Sequence, residues 1–269
     1  MTHFTADSLR FGYGQRTIID GVSLDLQAGE VLVLLGANGA GKTTLLRLLA
    51  RHISLQSGSI SLNDCDVSRW SSRKLAQQVA LMPQHENRGS TLSVVDVVSL
   101  GRMPHSGWFS PLSKVDQERI DEAIEVTGLQ LLRDRPVNQL SGGEWRRMIL
   151  ARAIAQDTSV MMLDEPIAGL DLKYQHEVLD HVWQLTKRKQ LITVLTLHDL
   201  NLAAMFADRV AVLHSGKVIA LGTPDAVLRS DVIRQAFDVD VSVMRHPTLG
   251  TPLIIALGNL ARAKAGATN

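Results

Sequence analysis

One cysteine, Cys65, in 269 residues excludes an internal disulfide and any zinc cluster built on several cysteines. That usage suits a reducing compartment. Charge of one sign is equally scarce in excess. The 28 Lys and Arg against 27 Asp and Glu leave a net +1, and no basic stripe stands out, which argues against a protein that coats nucleic acid. The short basic run Lys187-Arg188-Lys189 reads as a solvated helix end lying at the negative pole of its dipole. No apolar run approaches the ~18–20 residues that span a bilayer, and the first dozen residues lack the apolar centre of a signal peptide. The chain therefore reads as soluble on its own account. There is no internal repeat and no low-complexity segment. With 45% hydrophobic and 20% charged residues it has an ordinary globular balance, and its length allows one large domain or two lobes.

Against that plain background one octet stands out: Gly36-Ala37-Asn38-Gly39-Ala40-Gly41-Lys42-Thr43, followed by Thr44. It matches the phosphate-binding P-loop pattern G-x-x-x-x-G-K-[ST]. The apolar run Val31 to Leu35 before it reads as a buried strand, and Leu45, Leu46, Leu48 and Leu49 after it fall at helical spacing. The glycines let backbone N–H groups approach phosphate oxygens, and the helix start adds its positive pole. Lys42 is expected to reach the β- and γ-phosphates and Thr43 to give Mg²⁺ a hydroxyl ligand. The chain is thus expected to bind a nucleoside triphosphate with Mg²⁺.

The remaining pattern is α/β. Residues 4 to 35 read as short strands separated at Gly12, Gly14, Gly21 and Gly29, with further strands at 59–62 and 79–82. Helical spacing then takes over at Leu92 to Leu100, Asp116 to Thr127 and Glu144 to Ala155, and the Pro- and Gly-bearing stretch from Met103 to Pro111 is a loop. Apolar runs return at Val160 to Leu163, Leu191 to Leu197, Val210 to Leu213 and Val218 to Ala220. The expected layout is a nucleotide-binding core in two parts, residues 1–85 and 158–230, interrupted by a helical insert over 86–157 and followed by a C-terminal extension, 231–269. In the extension Val239 to Met244 and Leu253 to Ala256 suggest a small strand pair, and residues 258–269 are expected to fray.

Val160-Met161-Met162-Leu163 ends in Asp164-Glu165. A buried strand ending beside a P-loop places Asp164 to hold the metal shell and Glu165 to polarise a water as general base. His198 ends the apolar run Leu191 to Leu197. It is either an ordinary surface or core histidine or, if that strand lies beside Val160 to Leu163, a contact to the γ-phosphate. Gln84 follows strand 79–82; it is either an exposed loop amide or a ligand to Mg²⁺ or water at the entrance to the insert. In Leu140-Ser141-Gly142-Gly143-Glu144, Ser141 and Glu144 have the spacing of a capping box. The two glycines instead suit an anion site at a helix start, which a chain with one P-loop needs only if two chains share nucleotides.

Taken in order, Tyr13, the P-loop, Gln84, Leu140 to Glu144, Asp164-Glu165, Gly169-Leu170-Asp171 and His198 resemble the motifs of an ABC-type ATPase, over roughly residues 7 to 230. The resemblance implies a P-loop NTPase core of the RecA-like type with an N-terminal antiparallel β subdomain and an inserted helical subdomain. It implies a head-to-tail homodimer with two ATP molecules between Lys42 of one chain and Ser141, Gly142, Gly143 and Glu144 of the other. It also implies Tyr13 stacking on adenine, Asp171 crossing the interface near the hydrolytic water, and His198 and Gln84 in the γ-phosphate and Mg²⁺ roles. The segments Leu100-Gly101-Arg102-Met103-Pro104-His105 and His198-Asp199-Leu200-Asn201-Leu202-Ala203 are similar to those of ferric-siderophore, haem and cobalamin importers, and the compact stretch Ile149 to Val160 favours the siderophore branch over haem. That resemblance implies a peripheral ATPase at the cytoplasmic face of the inner membrane, working on an integral membrane permease and, indirectly, an external substrate-binding protein. A soluble ABC protein, which usually carries coiled coils or two cassettes, an exporter ATPase, another P-loop class and a non-enzymatic binding module fit less well. Two departures from the family pattern are visible: Trp145-Arg146 where Arg-Gln or Gln-Gln is usual, and Ile167-Ala168 where Thr-Ser is usual.

Overall fold

A computed structural model of the chain describes residues 2–84, 89–106 and 111–257. The N-terminal part is a pair of long antiparallel strands, β1 (His3–Tyr13) and β2 (Arg16–Gln27), followed by β3 (Val31–Leu35), helix α1 (Lys42–Leu49), β4 (Ser57–Leu62), β5 (Cys65–Asp66), α2 (Ser72–Ala76) and β6 (Val79–Met82). Next come α3 (Val94–Ser99), α4 (Lys114–Val126) and α5 (Gly142–Ala155). The chain returns through β7 (Val160–Leu163), α6 (Leu172–Lys189), β8 (Ile192–Thr196), α7 (Leu200–Phe206), β9 (Arg209–His214) and β10 (Lys217–Gly222). It closes with α8 (Pro224–Val227), α9 (Ser230–Phe237) and the hairpin β11 (Val241–Arg245) and β12 (Pro252–Ala256).

The central sheet has the order β10-β9-β3-β8-β7-β6. Its pairs are parallel from β9 through β6, and only β10 runs antiparallel to its neighbour. Such strands are buried on both faces, which is why they appear in the sequence as unbroken apolar runs. Alternate side chains feed two separate cores. Leu32 and Leu34 of β3 face the core shared with α1 and the sheet β2-β1-β4-β5, whereas Val31, Val33 and Leu35 face the core shared with the helices α3 to α7. The strands β7, β8 and β9 divide in the same way.

Three differences from the sequence expectation have physical causes. The N-terminal region is not a series of short strands: Gly12 and Gly21 lie inside β1 and β2, where the register shifts rather than the chain turning. The first two helices of the insert begin at Val94 and Lys114 rather than at the expected Leu92 and Asp116, because Ser93 and Ser113 each cap the helix in a full capping box with an Asp three positions on. Lys187-Arg188-Lys189 does lie in the last turn of α6, but all three of its members are ion-paired, Arg188 with Glu122. The Lys187 ammonium donates to Asp208 and to the Gly29 carbonyl, and Lys189 bridges Glu122 and Asp157. The tip of the loop at 107–110, the first residues of the expected insert at 86–88 and the tail at 258–269 lie outside the described residues.

Candidate functional site

The loops that carry the candidate residues leave the C-terminal ends of four neighbouring parallel strands. Gly36 follows β3, His198 follows β8 by two residues, Asp164-Glu165 follows β7, and Gln84 follows β6 by two. Ligands of open parallel sheets bind at this end of the strands.

The P-loop conformation is one that glycine permits. Gly36 has φ 149° and a Cβ there would meet the Leu213 carbonyl oxygen at 2.3 Å; Gly41, the N-cap of α1, has φ 107° and its Cβ would meet Ile19 Cδ1 at 2.9 Å. The loop curls around the Lys42 ammonium, which donates to the carbonyls of Gly36 (2.6 Å) and Ala37 (3.2 Å). Burial pushes the Lys42 pKa down, and the carboxylates of Glu165 and Asp164 oppose that shift without cancelling it. A cation held here, at the start of a helix and surrounded by backbone, is suited to phosphate.

In front of the loop lies a cleft of about 290 Å³ lined by Asn38, Gly39, Gly41, Lys42, Thr43, Thr44, Gln84 and Glu165, together with Arg16 and Ile18. A larger cleft of about 570 Å³, with His105, Arg119, Asp157 and Lys189 in its wall, lies apart from all of these residues.

Behind the cleft, Asp164 is buried, 2% exposed. Thr196, fully buried at the end of β8, donates its hydroxyl to Asp164 Oδ1 (2.8 Å) and accepts from the Glu165 N–H (2.7 Å). Glu165 has φ 51°, a left-handed conformation uncommon outside glycine. That turn aims its carboxylate back along the sheet toward β8, where Oε1 lies 2.7 Å from His198 Nε2. Burial pushes the Glu165 carboxyl up, but hydrogen bonds from His198 and Gln84, with the charges of His198 and Lys42, outweigh it and leave the pKa below its ordinary value. The carboxylate is therefore ionised and accepts the His198 N–H. An ionised carboxylate beside a water-sized space, with an ammonium nearby, can take a proton from water.

Thr43 hydroxyl, Gln84 amide and Asp164 carboxylate are all oxygen donors of the hard type that Mg²⁺ takes. Among the described residues no group of three or more His, Cys, Asp or Glu is placed to hold a metal by itself. A Mg²⁺ ion shared with substrate phosphates needs only one or two carboxylates, and the set fits that kind of site.

Other candidates do not line this cleft. Ser141 caps α5, accepting from the Glu144 N–H while Glu144 Oε2 accepts from the Ser141 N–H at 2.7 Å; that backbone contact, first, and the Ser141 hydroxyl hold the Glu144 carboxyl below its ordinary pKa. Asp171 caps α6 through Tyr174 N–H (3.0 Å). Ser141, Gly142 and Asp171 are exposed. Tyr13 is 56% exposed and packs edge-on against Phe11, while its cross-strand partner Arg16 is in the cleft wall. Trp145 and Ile167, two of the departures from the family pattern, are buried in the larger core.

Sequence reasoning missed Arg16, Ile18 and Thr196, and met Arg146 only as a departure from the family pattern. Thr196 carried a legible signal: a hydroxyl inside an apolar strand must find a partner. Arg146 carried another, as a charged residue in a helix whose following positions Met148, Ile149 and Leu150 are all buried.

Residues 19–168 match the family model described as ABC transporter. The chain is 38% identical over 258 residues to the achromobactin transport ATP-binding protein CbrD of Dickeya dadantii (strain 3937), covering 96% of each protein. It is 38% identical over 250 residues to the hemin import ATP-binding protein HmuV of Rhodococcus jostii (strain RHA1), covering 93% of this chain and 85% of that one. Among solved structures, an ABC transporter assigned to the metal-chelate type and captured in an inward-facing conformation superposes with a TM-score of 0.82 at 25% identity, over 96% of this chain and 98% of the other. The chain belongs to the ABC transporter family, as one of its ATP-binding, ATP-hydrolysing subunits with a P-loop NTPase fold.

Proposed function

We propose that this subunit dimerises head to tail on ATP and powers uptake of an iron chelate through a membrane permease. The observation that carries the reading is a division within one chain. Lys42, Thr43, Gln84, Asp164, Glu165 and His198 gather at one set of strand ends, while the start of α5, with Ser141 and Gly142 exposed, and the exposed Asp171 at the start of α6 stand outside the cleft. A second copy turned by a two-fold axis supplies the missing half of each pocket.

In this reading the P-loop amides of Gly36 to Thr44, including Ala37, Asn38, Gly39, Ala40 and Gly41, cradle the phosphates, and Lys42 leaves its carbonyls for the β- and γ-oxygens. Tyr13 stacks on the adenine. Thr43, Gln84 and Asp164 hold Mg²⁺, which when bound neutralises developing charge on the phosphate oxygens. Glu165 accepts a proton from the attacking water. His198, now hydrogen-bonded to Glu165, turns to the γ-phosphate, and Asp171 of the facing copy closes over the water. The Gln84 loop passes closure to the permease, and closure requires that ATP favour the closed state over the open one.

The relatives bear on the cargo. One is an achromobactin transport ATP-binding protein and another a hemin import ATP-binding protein, and the compact stretch Ile149 to Val160 favours a siderophore. No helix among the described residues is long and apolar enough to cross a membrane, so a peripheral attachment to the permease at the inner face of the membrane is proposed. The test is ATP hydrolysis by the purified chain and by Glu165→Gln. The variant is expected to bind ATP normally and to lose about 10²–10⁴-fold in turnover. Near-normal turnover removes Glu165 from the role of base.

A further inference from the structure

Arg146 stands on the second turn of α5, and its side chain is buried, 7% exposed. A guanidinium has five N–H donors in a rigid fork, and here five hydrogen bonds run to four main-chain carbonyls. Nε donates to Glu165 O (3.0 Å). Nη1 donates to Pro83 O (3.1 Å) and Gln84 O (2.7 Å). Nη2 donates to Asp164 O and again to Glu165 O.

These carbonyls belong to two loops. Strands β6 and β7 pair in parallel up to Met82 and Leu163, and one more bond, Asp164 N–H to Met82 O (2.9 Å), closes the ladder. Beyond it the chains diverge, one toward Gln84 and the other through the left-handed turn at Glu165. Their carbonyls are buried or part-buried against the guanidinium, and an unpaired buried acceptor costs roughly 1–3 kcal/mol. The guanidinium fills that fork and satisfies both sides at once. It reaches them from the helix whose N-terminus is Ser141-Gly142-Gly143.

We propose that Arg146 is a positioning residue that ties the signature helix to the backbones of Gln84 and Glu165, fixing the base and the metal-shell amide in register with each other and with the helix start that meets the facing copy. The proposal rests on the roles assigned to Gln84 and Glu165 under the proposed function. Gln, the usual residue here, has two N–H donors and Lys three, so neither spans all four carbonyls. Displacing reacting groups by about 1 Å costs on the order of 10²-fold in rate. The lost quantity is turnover, since each of the five bonds above runs to the Gln84 or Glu165 loop and none of these five to the P-loop or Lys42.

The test compares the full-length protein with Arg146→Lys, Arg146→Gln and Arg146→Met, measuring kcat, KM for ATP, fluorescent-ATP affinity and thermal midpoint. The expected result is a fall in kcat of about 10²-fold for Arg146→Gln, a smaller fall for Arg146→Lys, and ATP affinity within about twofold of the parent. A merely structural role lowers kcat and affinity together and does not rank the variants by donor number. Should Arg146→Met fail to fold, Arg146→Lys and Arg146→Gln still decide the matter. Parental kcat in folded Arg146→Gln, or affinity falling in step with kcat, overturns the proposal. Glu165→Gln is assayed alongside: if it turns over, the reading of Glu165 fails, whereas an inactive Glu165→Gln beside a normal Arg146→Gln sinks the Arg146 proposal alone.

Discussion

His198 and Glu165 meet across the ends of two adjacent parallel strands, with Nε2 2.7 Å from Oε1. The pair is the product of two local features: the left-handed φ of 51° at Glu165, and the Thr196 hydroxyl that accepts the Glu165 N–H. In the nucleotide-free chain the base is thus already ionised and held by the residue assigned to the γ-phosphate.

This contact sets the pH dependence of hydrolysis. The pKa of Glu165 lies below the ordinary 4.5, so the carboxylate is ionised above that range and loses base function only when pH falls through the depressed value. Removing His198 removes one donor and its charge, leaving Gln84 and Lys42 as the remaining lowering influences. His198→Ala is expected to move the acid limb of the kcat/KM profile upward in pH, and His198→Gln, which keeps a donor, to move it less. An acid limb unchanged in His198→Ala shows that the contact does not set the ionisation of the base.

Arg102 and Asp116 form a buried pair that joins the Leu100-Gly101-Arg102 turn to the start of α4 and the end of α5. Arg102 Nε lies 2.8 Å from Asp116 Oδ1, and Nη1 donates to Ala155 O at 2.8 Å. Burial pushes Asp116 up, but hydrogen bonds from Ser113 and Arg102, and the Arg102 charge, bring its pKa down from 3.8 to about 2. A depressed carboxyl stabilises the fold fully above its unfolded value, and that stability is lost as pH falls from 3.8 through about 2. Asp116→Asn leaves Arg102 buried without its counter-charge and is expected to cost about 3–5 kcal/mol at neutral pH. Denaturant titrations at pH 7 and in acid check this: the gap between parent and variant narrows toward pH 2.

Gly36 is the tightest point of the P-loop. Gly36→Ala puts a methyl group 2.3 Å from the Leu213 carbonyl oxygen in a conformation with φ 149° that L-residues rarely adopt. The loop and β9 cannot both keep their places, so ATP affinity is expected to fall by more than about tenfold. A fluorescent-nucleotide titration that finds parental affinity contradicts this.

Much of the fold was legible because the central strands are buried on both faces. Val31 to Leu35, Val79 to Met82 and Val160 to Leu163 have the bounds that their apolar runs suggested. Strand order was less accessible. Nothing local to β8 states that it lies between β3 and β7, and it is this position that brings His198 to Glu165. The contacts of Arg146 were hidden for a related reason, since its partners are main-chain carbonyls and a carbonyl has no residue identity to read. The anchoring of Lys187 and Lys189 depends on Asp208, Glu122 and Asp157, each distant in the chain.

The central claim is that each ATP pocket is completed by a second copy, and light scattering on the Glu165→Gln protein with saturating Mg-ATP tests it most directly. The account predicts a dimer that holds two ATP molecules and dissociates when nucleotide is withdrawn. It also predicts that Glu165→Gln with Ser141→Arg binds ATP yet stays monomeric, because the added side chain blocks the helix start that meets the facing nucleotide. A Glu165→Gln protein that is fully ATP-loaded and still monomeric, or a Ser141→Arg double variant that dimerises unhindered, contradicts it.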